Sequence, residues 1–368
     1  MRIWLLLIGL AVFSLVASAP IAPGRAADVS ACENGKSGEQ KPESCTQNSR
    51  DAVLTLSPVR DYHGDGEKDY KIARSSEAIR LNPKNVQALI DRGNAYTDKG
   101  DFKSAIADFN LAIGLDPSNA DAYVGRGNAY RDKGDLNRAI ADYKLVIMLD
   151  PTNAQAYNNR GMAYRDKGDL DRAIADYDQA VARDPKYADP YYNRGRTYFE
   201  NGDIDRAIAD YDAAIKLNPN FVDAYKSRGL RHSDKGDLEH AIADFSRVIA
   251  LAPKRADGYS NRCWARLVAN NQLQAALSDC SESLRVRPDD ADTLNNRGFL
   301  FLKAEKLDEA IGDFTAAITV DAKYASSIYG RGLAKLKKND ALGAQNDMAT
   351  AKTLDPDVAQ QLARYGFK

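Results

Sequence analysis

Between Ala154 and Tyr187 the apolar positions fall into two helical stripes. Ala156, Tyr157, Gly161 and Tyr164, with Arg160 among them, recur at steps of three and four residues, and Leu170, Ala173, Ile174, Tyr177 and Ala180 do so again further on. The pattern predicts two amphipathic helices. Between them, Lys167-Gly168-Asp169 offers a glycine that can take a positive φ past the first helix and an aspartate that can cap the second. Pro185 then stops the second helix, because it has no N–H to donate and disfavours helical geometry in the residue before it. A pair this short leaves apolar surface uncovered and needs similar neighbours on both sides.

The chain supplies them at a spacing of 34 residues, as units at 86–119, 120–153, 154–187, 188–221, 222–255, 256–290, 291–324 and 325–358. The eighth place is glycine in seven units, from Gly93 to Gly332, and the twentieth is alanine in all eight, from Ala105 to Ala344. The twenty-fourth is aromatic in six, from Phe109 to Phe314, and the thirty-second is proline in six, from Pro117 to Pro356. On these residues the chain resembles the tetratricopeptide repeat family over about three quarters of its length. The resemblance implies an all-α fold, a right-handed α-solenoid of antiparallel helix pairs whose first helices line a concave groove. A half repeat at 67–85 precedes the units, and a capping segment at 359–368 follows them, with a short helix expected from Asp357 to Tyr365. The sixth unit is irregular: it has one extra residue near Asn270, and Cys263 and Cys280 replace the glycine and the aromatic. The two cysteines fall on paired helices, where a disulfide and a pair of buried thiols are both compatible with the sequence.

The seventh place, usually leucine in the family, is arginine in every unit, and the twenty-third is always aspartate. Eight matched pairs, Arg160 with Asp176 and Arg194 with Asp210 among them, predict a structural ladder in which a planar guanidinium bridges carboxylates within or between units. So regular a pair argues for register and against catalysis.

Variable residues remain at the second, fifth, sixth, ninth, twelfth and thirteenth places, which in the family face the groove. Asn159, Asn193, Asn261 and Asn296 hold the sixth place, and Asn94 and Asn128 the ninth. An amide both donates and accepts, so such a row suits the backbone of an extended peptide; the asparagine-lined repeats of O-linked N-acetylglucosamine transferases are similar. Early units present Asp91, Asp98, Asp121, Asp132 and Asp166, whereas late ones present Trp264, Leu267, Phe299, Leu302, Leu333 and Leu336. The groove is therefore expected to turn from acidic to apolar, with repeats six to eight holding an amphipathic or extended segment or being covered by the chain's own C-terminal helix. In the last unit, self-coverage is the expectation. The lysines and arginine with which the chaperone-binding branch grips a terminal carboxylate reduce here to scattered groove residues such as Arg196 and Lys226.

Composition narrows the partner class. With 28% charged residues, a net charge of -1 and a pI near 6.4, the overall charge gives no reason to expect nucleic acid, which usually calls for a basic face. The N-terminus has Arg2, an apolar run from Ile3 to Val16 and small residues around Ala19, which predicts a secretory signal peptide over 1–27. The run is too short to span a bilayer, which takes about 20 residues, so no membrane span is expected after cleavage. A polar linker over 28–66 contains Cys32 and Cys45, a possible disulfide in an oxidising compartment; two separate thiols are the alternative. Periplasmic or secreted localisation follows.

The histidines, His63, His232 and His240, show no metal-ligand spacing, and no phosphate loop or nucleophile elbow is present. The expectation is a non-catalytic scaffold for protein or peptide partners, with no cofactor and no metal. A repeat protein that binds envelope glycan or peptidoglycan, or that self-assembles, is the alternative.

Overall fold

The computed structural model describes residues 65–270 and 272–368. The signal segment, the linker up to residue 64 and the Cys32–Cys45 pairing lie outside the described residues. The described chain is all α, with 18 helices. After α1 (Asp65–Leu81) come the pairs α2 (Val86–Lys99) and α3 (Phe102–Leu115), α4 (Ala120–Asp132) and α5 (Leu136–Leu149), α6 (Ala154–Asp166) and α7 (Leu170–Arg183), and α8 (Ala188–Glu200) and α9 (Ile204–Leu217). They continue with α10 (Val222–Asp234) and α11 (Leu238–Leu251), α12 (Ala256–Ala269) and α13 (Leu273–Val286), α14 (Ala291–Lys303) and α15 (Leu307–Val320), and α16 (Ala325–Lys337) and α17 (Ala341–Leu354), before the short α18 (Val358–Arg364). Helix α1 begins two residues inside the expected linker.

Local chemistry sets each boundary. Asn153 accepts from the Ala156 amide at 2.9 Å at the start of α6. Gly168, at φ +82°, turns the chain beyond α6 and sends its N–H to the Arg165 carbonyl at 2.8 Å, while Asp169 accepts from the Arg172 amide and starts α7. In the sixth unit Asn270 takes the left-handed conformation at φ 55° in place of a glycine, a geometry that asparagine tolerates better than most side chains.

The core lies between the two helices of each pair and continues into the next pair. Ala173, Tyr177 and Ala180 have no exposed surface, and a Cβ on Gly161 would come within 2.8 Å of the Tyr177 ring. That close approach is why the eighth place is glycine wherever the twenty-fourth is aromatic. In the sixth unit both partners change together: Cys263 and Cys280, fully buried, form a disulfide. First helices of neighbouring units approach each other more closely than second helices do, so the first helices line the inner face.

The arginine–aspartate ladder forms within units. In all eight, the arginine donates through Nε and Nη2 to both oxygens of its own aspartate; Arg160 reaches Asp176 at 2.8 and 2.7 Å, and Arg194 reaches Asp210 at 2.8 and 2.6 Å. In six units the remaining Nη1 also crosses to the twenty-fifth place of the preceding repeat, at Ser76, Asn110, Asp178, Asp212, Ser246 and Thr315. Arg160 makes no such bond, because Lys144 stands in that place and offers no acceptor. The fork therefore joins the two helices of a unit, and the third nitrogen ties most units to the one before.

Candidate functional site

The inner face is built from α2, α4, α6, α8, α10, α12, α14 and α16. The expected amide row is only partly open. Asn94 is exposed and Asn128 and Asn261 are half-buried, but Asn159, Asn193 and Asn296 are buried. The sixth place lies against the adjoining first helix, so its amides bond along the stack: Asn193 donates to Asn158 at 3.0 Å, Asn158 to Asn159 at 3.3 Å and Asn159 to Asn128 at 3.4 Å. Asn128 also accepts from the Tyr143 hydroxyl at 2.7 Å. These groups make an internal polar seam across three units, and their amides are largely used there. Arg196 lies near the Tyr192 ring, and Lys226 pairs with Asp257 at 3.3 Å.

The expected change from an acidic to an apolar groove is corrected by the structure. Leu267, Phe299, Leu302 and Leu333 are core residues, and Phe299 has no exposed surface. The reason is the C-terminal segment, which folds back over the inner face. Leu362 and Val358 enter the apolar cluster of the last units, and Phe367 packs on Phe299 at 4.4 Å between ring centroids. Tyr365 meets Trp264 at 5.1 Å with the ring planes at 76°, and Lys303 places its Nζ 5.1 Å from the Phe367 ring. The tail thus reaches back from the eighth unit to the sixth, and self-coverage extends well beyond the last unit. Leu336, expected beneath it, stays half exposed at 51%.

Where the tail meets α12, α14 and α16, the inner face sinks into a cavity of about 520 Å³. Asn261, Trp264, Asn296, Tyr324 and Tyr365 line it, together with the carboxylates of Asp257, Asp290, Asp292 and Asp355 against the single guanidinium of Arg287. Arg287 is engaged with Asp290 at 2.8 Å. Asp292 accepts from the Tyr324 hydroxyl at 2.6 Å and Asp355 from the Gln361 amide at 3.1 Å, so both meet neutral donors. Burial, and after it the hydrogen bond to Asp292, pushes the Tyr324 phenol far above its ordinary range. Burial also pushes the Asp257 carboxyl up, but Arg255 and Lys226 more than offset it and hold the group below the usual carboxylate range. The result is an acidic, aromatic-walled recess suited to a cation. The signal for it was an acidic column at the second place, Asp121, Asp189, Asp223, Asp257 and Asp292, which marks the groove rim.

The sequence leaves the state of Cys263 and Cys280 open, and the structure resolves it as a disulfide. A second group was not expected from the sequence. The turn between α10 and α11 brings His232, Asp237 and His240 together, with one ligand-capable atom from each within 4.8 Å of the others. No helix among the described residues is long and apolar enough to cross a membrane.

Family models agree with this architecture. Residues 93–130, 127–164 and 161–202 match a TPR repeat model, and residues 188–221 and 266–328 match two tetratricopeptide repeat models. Over 89 residues the chain is 30% identical to a DnaJ homolog subfamily C member 7 homolog of Dictyostelium discoideum; the match takes in 23% of this chain and spans 16% of that relative. Among solved structures, MamA is 34% identical over 44% of this chain and 95% of its own, with a TM-score of 0.39. A chain of the APC/C hetero-tetramer Cut9-Hcn1 is 16% identical, covers 87% of this chain and 66% of its own with a TM-score of 0.52, and shares the fold alone. Helix pairs at a 34-residue period, stacked without interruption and matched by these repeat models, make this chain a tetratricopeptide repeat protein.

Proposed function

We propose that the chain is an exported, non-catalytic scaffold that holds a segment of another protein against its inner face, with the recess beside Trp264 as an anchor for a lysine or arginine side chain. Tetratricopeptide repeats generally mediate protein–protein interaction, and the coarse reading rests on that. The finer reading rests on the recess itself: Asp257 and Asp290 are already paired with cations, but Asp292 and Asp355 meet only neutral donors, beside aromatic walls that can pack on the aliphatic stem of a cationic residue. A buried disulfide supports an oxidising compartment and so favours export.

Selection of peptides from a displayed random library on the purified chain tests this reading. Binders are expected to share a basic residue, and Asp292→Asn is expected to weaken them about tenfold, the size of one charge-assisted hydrogen bond. Binders that lack a basic residue and tolerate both Asp292→Asn and Trp264→Ala would refute it.

A further inference from the structure

The turn of the fifth unit differs from its neighbours in a correlated way. In units two, three and four, a tyrosine at the eleventh place, an aspartate at the sixteenth and an arginine at the nineteenth form one arrangement. The aspartate caps the second helix and pairs with the arginine, whose guanidinium carbon lies over the tyrosine ring: Arg138 over Tyr130 at 4.5 Å, Arg172 over Tyr164 at 4.7 Å and Arg206 over Tyr198 at 4.4 Å. In unit five the aspartate is kept as Asp237, but tyrosine and arginine are both replaced by histidine. The His232 and His240 rings stack in their stead, with centroids 5.1 Å apart and planes at 25°. A cation–π pair has become a pair of imidazoles that share one carboxylate.

That carboxylate is well placed. Asp237 accepts from the His240 amide at 3.3 Å as the cap of α11, and its Oδ2 lies 3.3 Å from His232 Nδ1 and 2.8 Å from His240 Nδ1. His232 is held in the fold with 16% of its side chain exposed, whereas His240 is open at 71% and free to adjust. The two distances from the carboxylate are close to those between ligands of one metal ion, since at about 2.1 Å from a metal two donors stand roughly 3 to 4 Å apart; all three ligand atoms lie within 4.8 Å of one another, and the exposed His240 ring can close the remainder.

We propose that His232, Asp237 and His240 bind a divalent late first-row transition metal, zinc being the first choice, with the remaining coordination positions open to water or to a partner's side chain. Two imidazoles and a carboxylate form a borderline-soft set that suits zinc, copper, nickel or cobalt and disfavours calcium and magnesium. The His240 amide donates to Asp237 Oδ1 and helps to orient the carboxylate, as hydrogen bonds to ligating carboxylates do in established sites. Because the site joins the end of α10 to the start of α11, a bound ion clamps the two helices of one unit.

The test is calorimetric titration of the full, tag-free chain with zinc chloride and, separately, calcium chloride. The variants are His232→Tyr/His240→Arg, which restores the arrangement of the preceding three units, and Asp237→Ser, which keeps a capping hydroxyl and removes the ligand. The parent is expected to bind one more zinc equivalent than the double variant, to lose at least tenfold in affinity for that equivalent in Asp237→Ser, and to show no calcium heat at this site. Equal zinc stoichiometry and affinity in the parent and the double variant would overturn the proposal, whatever other residues of the chain bind.

Discussion

Removal of Asp176 tests how the array holds its register. Asp176 is 5% exposed, and the Arg160 side chain that it pairs with is 19% exposed. Asp176→Ala leaves a mostly covered guanidinium with neither its carboxylate nor a substitute, because the preceding unit puts Lys144 where others offer an acceptor. An unpaired charge so placed costs about 3 kcal/mol, whereas loss of both partners to apolar residues is close to neutral. Arg160→Leu, the family's usual residue there, combined with Asp176→Ala should therefore recover to within about 1 kcal/mol of the parent. By contrast Asp178, the outer partner of Arg194, is half exposed, and Asp178→Ala should cost only about 0.5 kcal/mol. A repeat array opens in pieces, so native-state hydrogen exchange of α6 and α7 is the right assay. A loss of about 3 kcal/mol appears there as acceleration by about two orders of magnitude, and the double variant should return to near the parental rate. Strictly additive single effects, or equal effects of Asp176→Ala and Asp178→Ala, would refute the reasoning.

Other outcomes follow from the same geometry. Gly161→Ala sets a methyl 2.8 Å from the Tyr177 ring and should destabilise by about 2 kcal/mol through overpacking; Gly168→Ala, with open space but φ +82°, should cost about 1 kcal/mol, and thermal melts that rank the two in the opposite order would contradict the account. Reduction of Cys263–Cys280, which closes a loop of 17 residues, should lower stability by about 3 kcal/mol; urea melts with and without reductant measure it, and Cys263→Ala/Cys280→Ala should show no response to reductant. The capping carboxylates are held below the ordinary range, Asp101 by Ser104, Asp135 by Arg138, Asp169 by Arg172, Asp203 by the Arg206 amide and Asp237 by His240. With folded values below the unfolded one of about 3.9, their contribution is complete above that pH and is lost as pH falls through the lowered values. Helicity followed by circular dichroism should thus hold its melting temperature from pH 7 to about 5 and fall below about 4, and a melting temperature that rises on acidification below pH 4 would contradict this.

What could be read in the sequence divides along physical lines. Helix pairs, their period and the arginine–aspartate ladder, repeated eight times, and the glycine and aromatic places, matched in six units, were readable because each depends on residues within one unit or in its neighbour. Trp264 and Phe299 were not, since their exposure depends on where Tyr365 and Phe367 settle, tens of residues away. The amide row misled for a related reason: the sixth place faces the next first helix as much as the groove, so Asn159 and Asn193 satisfy one another's units. Of the recess carboxylates only Asp257 and Asp292 stand in the column at the second place; the fold brings Asp290 and Asp355 to them. His232 and His240 escape a motif search because the turn joins them; the register comparison, in which both depart together from tyrosine and arginine, was the signal available.

The central claim is that the inner face, and not the outer, holds a protein partner. A photocrosslinking residue placed at Asn261 beside the recess, with one at Met148 on α5 as the outer-face control, tests it in the native host. Discrete protein adducts at Asn261 that are lost with Asp292→Asn, and none at Met148, are the expected result. The same adducts from both positions, or adducts at Met148 alone, would contradict the account.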